Sequence, residues 1–165
     1  MILGLSTPTF TILHVVISLI GILSGLVVLL GMFGSKRLDG WAALFLATTI
    51  LTSVTGFFFH STSFGSPHVL GVLSLIVLAV ATVALYIYHL AGPWRWIYVV
   101  CAALALYFNV FVGVVQAFQK LPLLRPLAPT QSEPPFLIVQ LAVMVIFIVL
   151  GFMAAKRFHP EIAHA

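Results

Sequence analysis

Five long apolar stretches of the chain contain no Asp, Glu, Lys or Arg. A bilayer core is crossed by roughly 20 apolar residues in helical form, and each stretch reaches about that length. A helix also satisfies its own backbone hydrogen bonds, as lipid requires. We therefore predict an all-α integral membrane protein, a bundle of about five transmembrane helices over Phe10–Met32, Trp41–Phe59, Val69–Leu90, Trp96–Phe118 and Phe136–Ala155.

The composition indicates that the outer surface of this bundle faces lipid. The chain is 62% hydrophobic and 6% charged, whereas ordinary soluble domains are about 25% charged. The seven basic residues are scattered along the chain, so we expect no nucleic-acid binding. We expect residues 1–165 to form a single transmembrane domain with short loops and one longer outer loop, residues 119–135, which is either a lid or a plain connector.

The basic residues of the loops predict an orientation. Lys and Arg are enriched in cytoplasmic loops, so the side with more of them is predicted to be cytoplasmic. We expect a bacterial-type cytoplasmic membrane, with the N-terminus outside and the C-terminus in the cytoplasm. The predicted inner side carries Lys36, Arg37, Arg95, Lys156 and Arg157, and the predicted outer side carries Lys120 and Arg125.

Three histidines fall at the outer ends of the predicted helices. His14 lies near the outer end of the first helix, His60 ends the second, and His68 begins the third. Gln116 and Gln140 fall in the outer parts of the fourth and fifth helices. Polar groups at membrane depth are costly and are usually paired or functional. We therefore expect these side chains to converge in the outer half of the bundle.

Such a cluster is suited to a haem or a metal ion. Neutral imidazole is the commonest metal ligand in proteins. His14, His60 and His68 are therefore candidate ligands for haem b or for a transition metal (Cu, Zn or Fe), which would serve electron transfer or metal handling. The general architecture, a small bundle with histidines near helix ends, resembles the small haem-binding membrane cytochromes, although no motif identifies a family.

Four further residues complete the predicted site. Gly56 and Gly71 lie about one turn from His60 and His68, and we expect them to give a flat macrocycle space against the backbone. Gln116 and Gln140 are predicted to orient the ligands by hydrogen bonds, as the outer residues around a metal commonly do.

Two other hypotheses compete with a bound cofactor. Histidines at helix ends also suit the lipid–water interface, and the protein would then be a non-catalytic accessory or assembly subunit of a larger membrane complex, or a homo-oligomer. Alternatively, Thr49, Thr52, Thr82 and Asn109 could line the narrow path of a small transporter or channel subunit. No nucleophile or HExxH motif is present, so we predict no catalytic residues and no stand-alone enzyme.

Overall fold

The computed structural model describes residues 1–59 and 63–161 of the chain. Their secondary structure is helical, apart from turns and one isolated bridge between Ile2 and Leu5. The predicted all-α bundle is confirmed. Its helices are α1 (Thr7–Phe33), α2 (Asp39–Gly56), α3 (Ser66–Thr82), α4 (Trp94–Lys120) and α5 (Pro134–Arg157).

The first four helices form a closed ring. α1 packs against α2, α2 against α3, α3 against α4, and α4 packs back against α1. α5 lies outside this ring, against α4 and α1, and buries only Phe136, Gln140 and Ala154. The main core fills the centre of the ring, and its members include Phe45, Leu78, Leu85, Val99 and Leu106. We call the end of the bundle that carries His14 and His68 the histidine end, and the end that carries Lys36 and Arg157 the basic end.

Side-chain caps and prolines account for where three helices begin. Ser6 precedes α1, and its hydroxyl accepts a hydrogen bond from the Thr9 N–H at 3.3 Å. α3 begins after Gly65, and α5 begins after Glu133. Each of these helices carries proline in its first two positions, where the missing N–H would have no helical partner.

Two helices end about one turn before the approximate predicted bounds. α2 ends at Gly56 rather than Phe59, and the chain turns at Phe57. α3 does not continue as an α-helix to Leu90 but passes into a short π-helix, Val83–Ile87, in which the Tyr88 N–H reaches back to the Val83 carbonyl at 3.1 Å.

The segment after the π-helix leaves helical geometry altogether. His89 and Leu90 have φ angles of 48° and 61°, in the left-handed region that non-glycine residues rarely occupy. The Leu90 N–H nevertheless donates to the Ala84 carbonyl at 3.0 Å, and the Leu90 side chain is buried. Burial of this leucine therefore fixes the end of the helix.

In the part of the chain that the structure describes, four helices are long and apolar enough to span a membrane: α1, α3 with its π-helical continuation, α4 and α5. Their exposed surfaces carry large apolar side chains along their length, as contact with a lipid bilayer requires. α2 has 18 residues, which gives a helix about 27 Å long, but it is richer in Thr and Ser than the others. A crossing by α2 therefore stays a prediction.

Candidate functional site

His14 is held by α2 in a defined protonation pattern. Its Nδ1 lies 2.7 Å from the Thr55 hydroxyl oxygen. A hydroxyl has one proton to donate, and the Thr55 hydroxyl donates it to the Leu51 carbonyl at 2.6 Å. With the Thr55 proton used in this way, we assign the His14 ring the tautomer that carries its proton on Nδ1 and donates to the Thr55 oxygen. In the neutral ring, Nε2 is then the nitrogen with the free lone pair.

The side of the His14 ring next to α2 is lined by an aromatic residue and a glycine. Phe59 lies edge-on to the imidazole, with ring centroids 5.1 Å apart, and Phe59 in turn contacts the buried Phe10. A methyl group placed at Gly56 would meet a single neighbour within 4 Å, the His14 Cε1 at 3.9 Å. Gly56 is exposed, so the Cε1 edge of the imidazole is open to the approach of another group.

His68 has the opposite protonation pattern. It lies in the first turn of α3, and its Nδ1 accepts a hydrogen bond from the Gly65 backbone N–H at 3.2 Å. In the neutral ring the proton therefore resides on Nε2. The ring stacks on Phe64 at 5.1 Å and packs against Phe57 at 5.7 Å. This histidine closes the start of its own helix.

The other predicted site residues do not surround His14. A methyl group at Gly71 would lie 2.9 Å from the Phe57 ring, so that ring fills the space predicted for a macrocycle. Gln140 is buried on α5, where its Nε2 donates to the Phe111 carbonyl at 3.3 Å. Gln116 is exposed on α4.

The predicted convergence of the three histidines stays a prediction, because of the three only His14 and His68 fall within residues 1–59 and 63–161. No hydrogen bond or ring contact there joins His14 to His68, and no group of three His, Cys, Asp or Glu residues is placed to hold a metal ion. His60 lies outside the described residues. The structure thus brings together His14 and Gly56, and separately His68 and Phe57.

Sequence reasoning missed Thr55, the residue that sets the protonation of His14. Thr55 lies three residues after Thr52 and one before Gly56, on the polar side of α2. α1 and α2 are antiparallel neighbours, so the last turn of α2 lies at the same depth in the bundle as the first turns of α1. A search for a polar side chain at the depth of His14 would therefore have found Thr55.

A second polar group lies deeper in the bundle, where α1, α2 and α4 meet. The Asn109 Nδ2 and the Thr49 hydroxyl oxygen lie 3.0 Å and 3.1 Å from the position of a methyl group at Gly21. Both side chains are buried, and Asn109 makes a long contact of 3.5 Å to the Ser18 carbonyl. Gly21 is therefore needed so that the polar side chains of two helices can approach α1.

The hydroxyls predicted to line a path mostly bond within their own helices. Thr52 donates to the Thr48 carbonyl at 2.9 Å, and Thr82 donates to the Leu78 carbonyl at 2.8 Å. Such bonds satisfy a hydroxyl without a partner on another helix. This arrangement gives the transport hypothesis no specific support.

Comparisons with protein-family models, with curated proteins and with solved structures found no match. The fold defines a class, an all-α helix bundle with a lipid-facing surface.

Proposed function

We propose that this protein binds haem or a transition-metal ion at the histidine end, with His14 as a ligand. The protonation pattern of His14 carries the proposal. Metal-ligating histidines typically donate one ring N–H to a neighbouring acceptor, which leaves the other nitrogen to coordinate. His14 donates from Nδ1 to Thr55, which leaves Nε2 for a ligand.

The candidate second ligand is His60. In the sequence it follows Phe59, whose ring contacts the imidazole of His14. His68 is a weaker candidate than the sequence predicted, because its Nδ1 accepts the Gly65 N–H and its neutral Nε2 carries the proton. To coordinate through Nε2, it would have to give up the bond that begins α3.

Haem iron needs fewer protein donors than a zinc site does. A structural zinc site takes four ligands and a catalytic one three, and the described residues contain no such group. One or two imidazoles suffice as axial ligands of haem iron. The open side at Gly56 and the ring of Phe59 suit a flat apolar group beside His14. Bound haem iron or copper would supply one-electron chemistry, and the protein would serve electron transfer or metal handling.

An optical spectrum and a metal analysis of the detergent-purified protein test this proposal. We expect a Soret band or stoichiometric metal in the wild type, loss of either in His14→Ala and His60→Ala, and retention in His68→Ala. His159→Ala, at the basic end, is the matched control and should keep the ligand. Absence of both a Soret band and stoichiometric metal in the wild type would overturn the proposal.

A finer variant tests the hydrogen bond itself. Thr55→Val removes the acceptor for His14 and keeps the shape of the side chain. We expect the affinity for the group to fall by about 10- to 100-fold, as is typical when such a supporting residue is lost. Thr55→Ser keeps the hydroxyl and should retain most of the affinity. Equal affinity in the wild type and Thr55→Val would show that the hydrogen bond from His14 to Thr55 does not support a bound group.

A subunit of a larger membrane complex is the second candidate, and α5 favours it. This helix lies outside the ring and buries only three of its 24 residues, so most of its apolar surface is available to lipid or to another membrane protein. This hypothesis predicts copurification with a larger complex from the native membrane and neither haem nor metal in the isolated chain.

A further inference from the structure

The C-terminal end of α5 is tied to the turn after α1. The Ser35 hydroxyl donates to the Arg157 carbonyl at 2.6 Å, and the His159 N–H donates to the Ser35 oxygen at 3.1 Å. Lys36 follows Ser35 directly, and Lys156 precedes Arg157. These bonds therefore bring together the basic side chains of two segments far apart in the sequence.

The remaining cations at this end have partners within the protein. Arg37 forms an ion pair with Asp39 at 2.5 Å, and the Arg95 guanidinium donates to the Phe158 carbonyl. By contrast, no carboxylate within residues 1–59 and 63–161 pairs with Lys36, Lys156 or Arg157, and all three are exposed.

Apolar surface continues from these cations along α1 and α5. The Lys156 Nζ lies 4.5 Å from the centre of the Phe152 ring, and the Arg157 guanidinium lies 6.0 Å from the Phe33 ring. Phe152 is 61% exposed and Leu30 is 66% exposed. Long basic side chains commonly lay their stems on apolar surface and keep the charged head at the membrane boundary.

We propose that Lys36, Lys156 and Arg157 bind the phosphate of an anionic phospholipid, whose acyl chains lie along the seam between α1 and α5. Charge complementarity is the argument for this occupant, because three unpaired cations meet at the membrane boundary beside exposed aromatic and aliphatic side chains. Basic sites between helix ends bind anionic headgroups in this way. The site is separate from the histidine end, and it does not depend on the function proposed there.

Native mass spectrometry of the whole protein tests this proposal. The protein is extracted in mild detergent from vesicles containing equal amounts of phosphatidylglycerol and phosphatidylcholine. We expect the wild type to retain phosphatidylglycerol in preference to phosphatidylcholine. Each cation near a membrane contributes about fivefold to binding of anionic lipid. Lys36→Gln should therefore reduce the preference by about fivefold, and the double variant Lys156→Gln with Arg157→Gln by about 25-fold.

The matched control removes the same charge from the histidine end. Lys120→Gln with Arg125→Gln should leave the preference unchanged, and an equal loss in this variant would overturn the proposal. Equal retention of the two lipids by the wild type would overturn it as well. Displacement of the lipid by excess inorganic phosphate would show a site for the free ion and would also contradict the proposal. Lys36→Gln keeps the test valid if the double variant fails to fold, because the Lys36 side chain makes no hydrogen bond within the described residues.

Discussion

His14 and His68 are assigned opposite tautomers. His14 donates from Nδ1 to Thr55, whereas the Nδ1 of His68 accepts from the Gly65 backbone. The sequence predicts both as ligands, because both are histidines at a helix end. Their protonation depends on whether the nearest partner is a donor or an acceptor, and that is set by the packing of α1 on α2 and by the first turn of α3.

Close packing at Gly25 gives a prediction on stability. A methyl group there would lie 2.7 Å from the Leu106 Cδ1 and 2.8 Å from the Phe45 ring. Gly25→Ala should therefore destabilise the bundle by about 1–3 kcal/mol, the usual cost of overpacking a filled core. Thermal unfolding in one detergent, followed by circular dichroism, measures the difference from the wild type.

Gly113→Ala is the control for this substitution. A methyl group at Gly113 meets Ile22 at an ordinary 3.8 Å, and replacing a glycine inside a helix stabilises it by roughly 0.5–1 kcal/mol. The control should therefore be neutral or slightly stabilising. Equal loss of stability in both variants would contradict the packing argument.

At the scale of helices and loops, the apolar stretches predict each helix but not its ends. α2 stops at Gly56 because Phe57 turns to pack against Gly71 and His68. α3 changes geometry near Val83 because Leu90 is drawn into the core. Both ends depend on contacts between helices, which hydropathy along one helix does not contain.

The ionised carboxylate of Glu133 holds the loop before α5 by hydrogen bonds. The Glu133 carboxylate accepts hydrogen bonds from the Thr130 hydroxyl at 2.7 Å and from the Thr130 and Ser132 backbone N–H groups, both at 3.1 Å. The Thr130 hydroxyl is the largest influence, and together these bonds hold the pKa of Glu133 below its ordinary value. Because the folded-state pKa is lowered, this contribution is complete above the unfolded value of about 4.3 and is lost as the pH falls through the folded value.

An NMR titration of the Glu133 carboxyl in detergent tests this pH dependence. We expect a midpoint below the ordinary glutamate range, with protection of the Thr130 and Ser132 amides lost over the same pH interval. Thr130→Val should move the midpoint upward. A midpoint that is unchanged in this variant would rule out the threonine hydroxyl as the cause.

For the whole molecule, the sequence predicts the class but not the arrangement. The uncharged apolar stretches are enough to predict an all-α membrane bundle, since each has the length that a helix needs to cross a bilayer and a helix satisfies its own backbone hydrogen bonds in lipid. The position of α5 outside a ring of four helices is not encoded in its composition, because α3 and α5 are both strongly apolar. The predicted meeting of the three histidines stays a prediction, because His60 lies outside the described residues.

Crossing of the membrane by α2 is the open question of topology. In a Cys101→Ala background, Gly40→Cys and Phe64→Cys place single thiols near the two ends of this helix. Gly40 has no neighbour within 4 Å of an added methyl group, and Phe64 is 70% exposed. If α2 spans, a membrane-impermeant thiol reagent will label one of the two positions from outside intact cells and the other only after the membrane is opened. In the orientation that the basic residues predict, position 64 is the outer one. Labelling of both from one side would show that α2 does not cross.

The π-helix at Val83–Ile87 determines which changes in the length of α3 the bundle can tolerate. Each α-helical residue turns the chain by about 100°, and the wider turn here accommodates one residue more than an α-turn does. Removing a single residue from this segment would restore a regular helix without shifting the phase of Ser66–Thr82. Adding a residue elsewhere in α3 would rotate the buried Ser74 and Leu78 away from their neighbours. We therefore expect the bundle to tolerate a one-residue deletion within Val83–Ile87. An insertion within Ser66–Thr82 should instead turn the buried face of α3 away from the core.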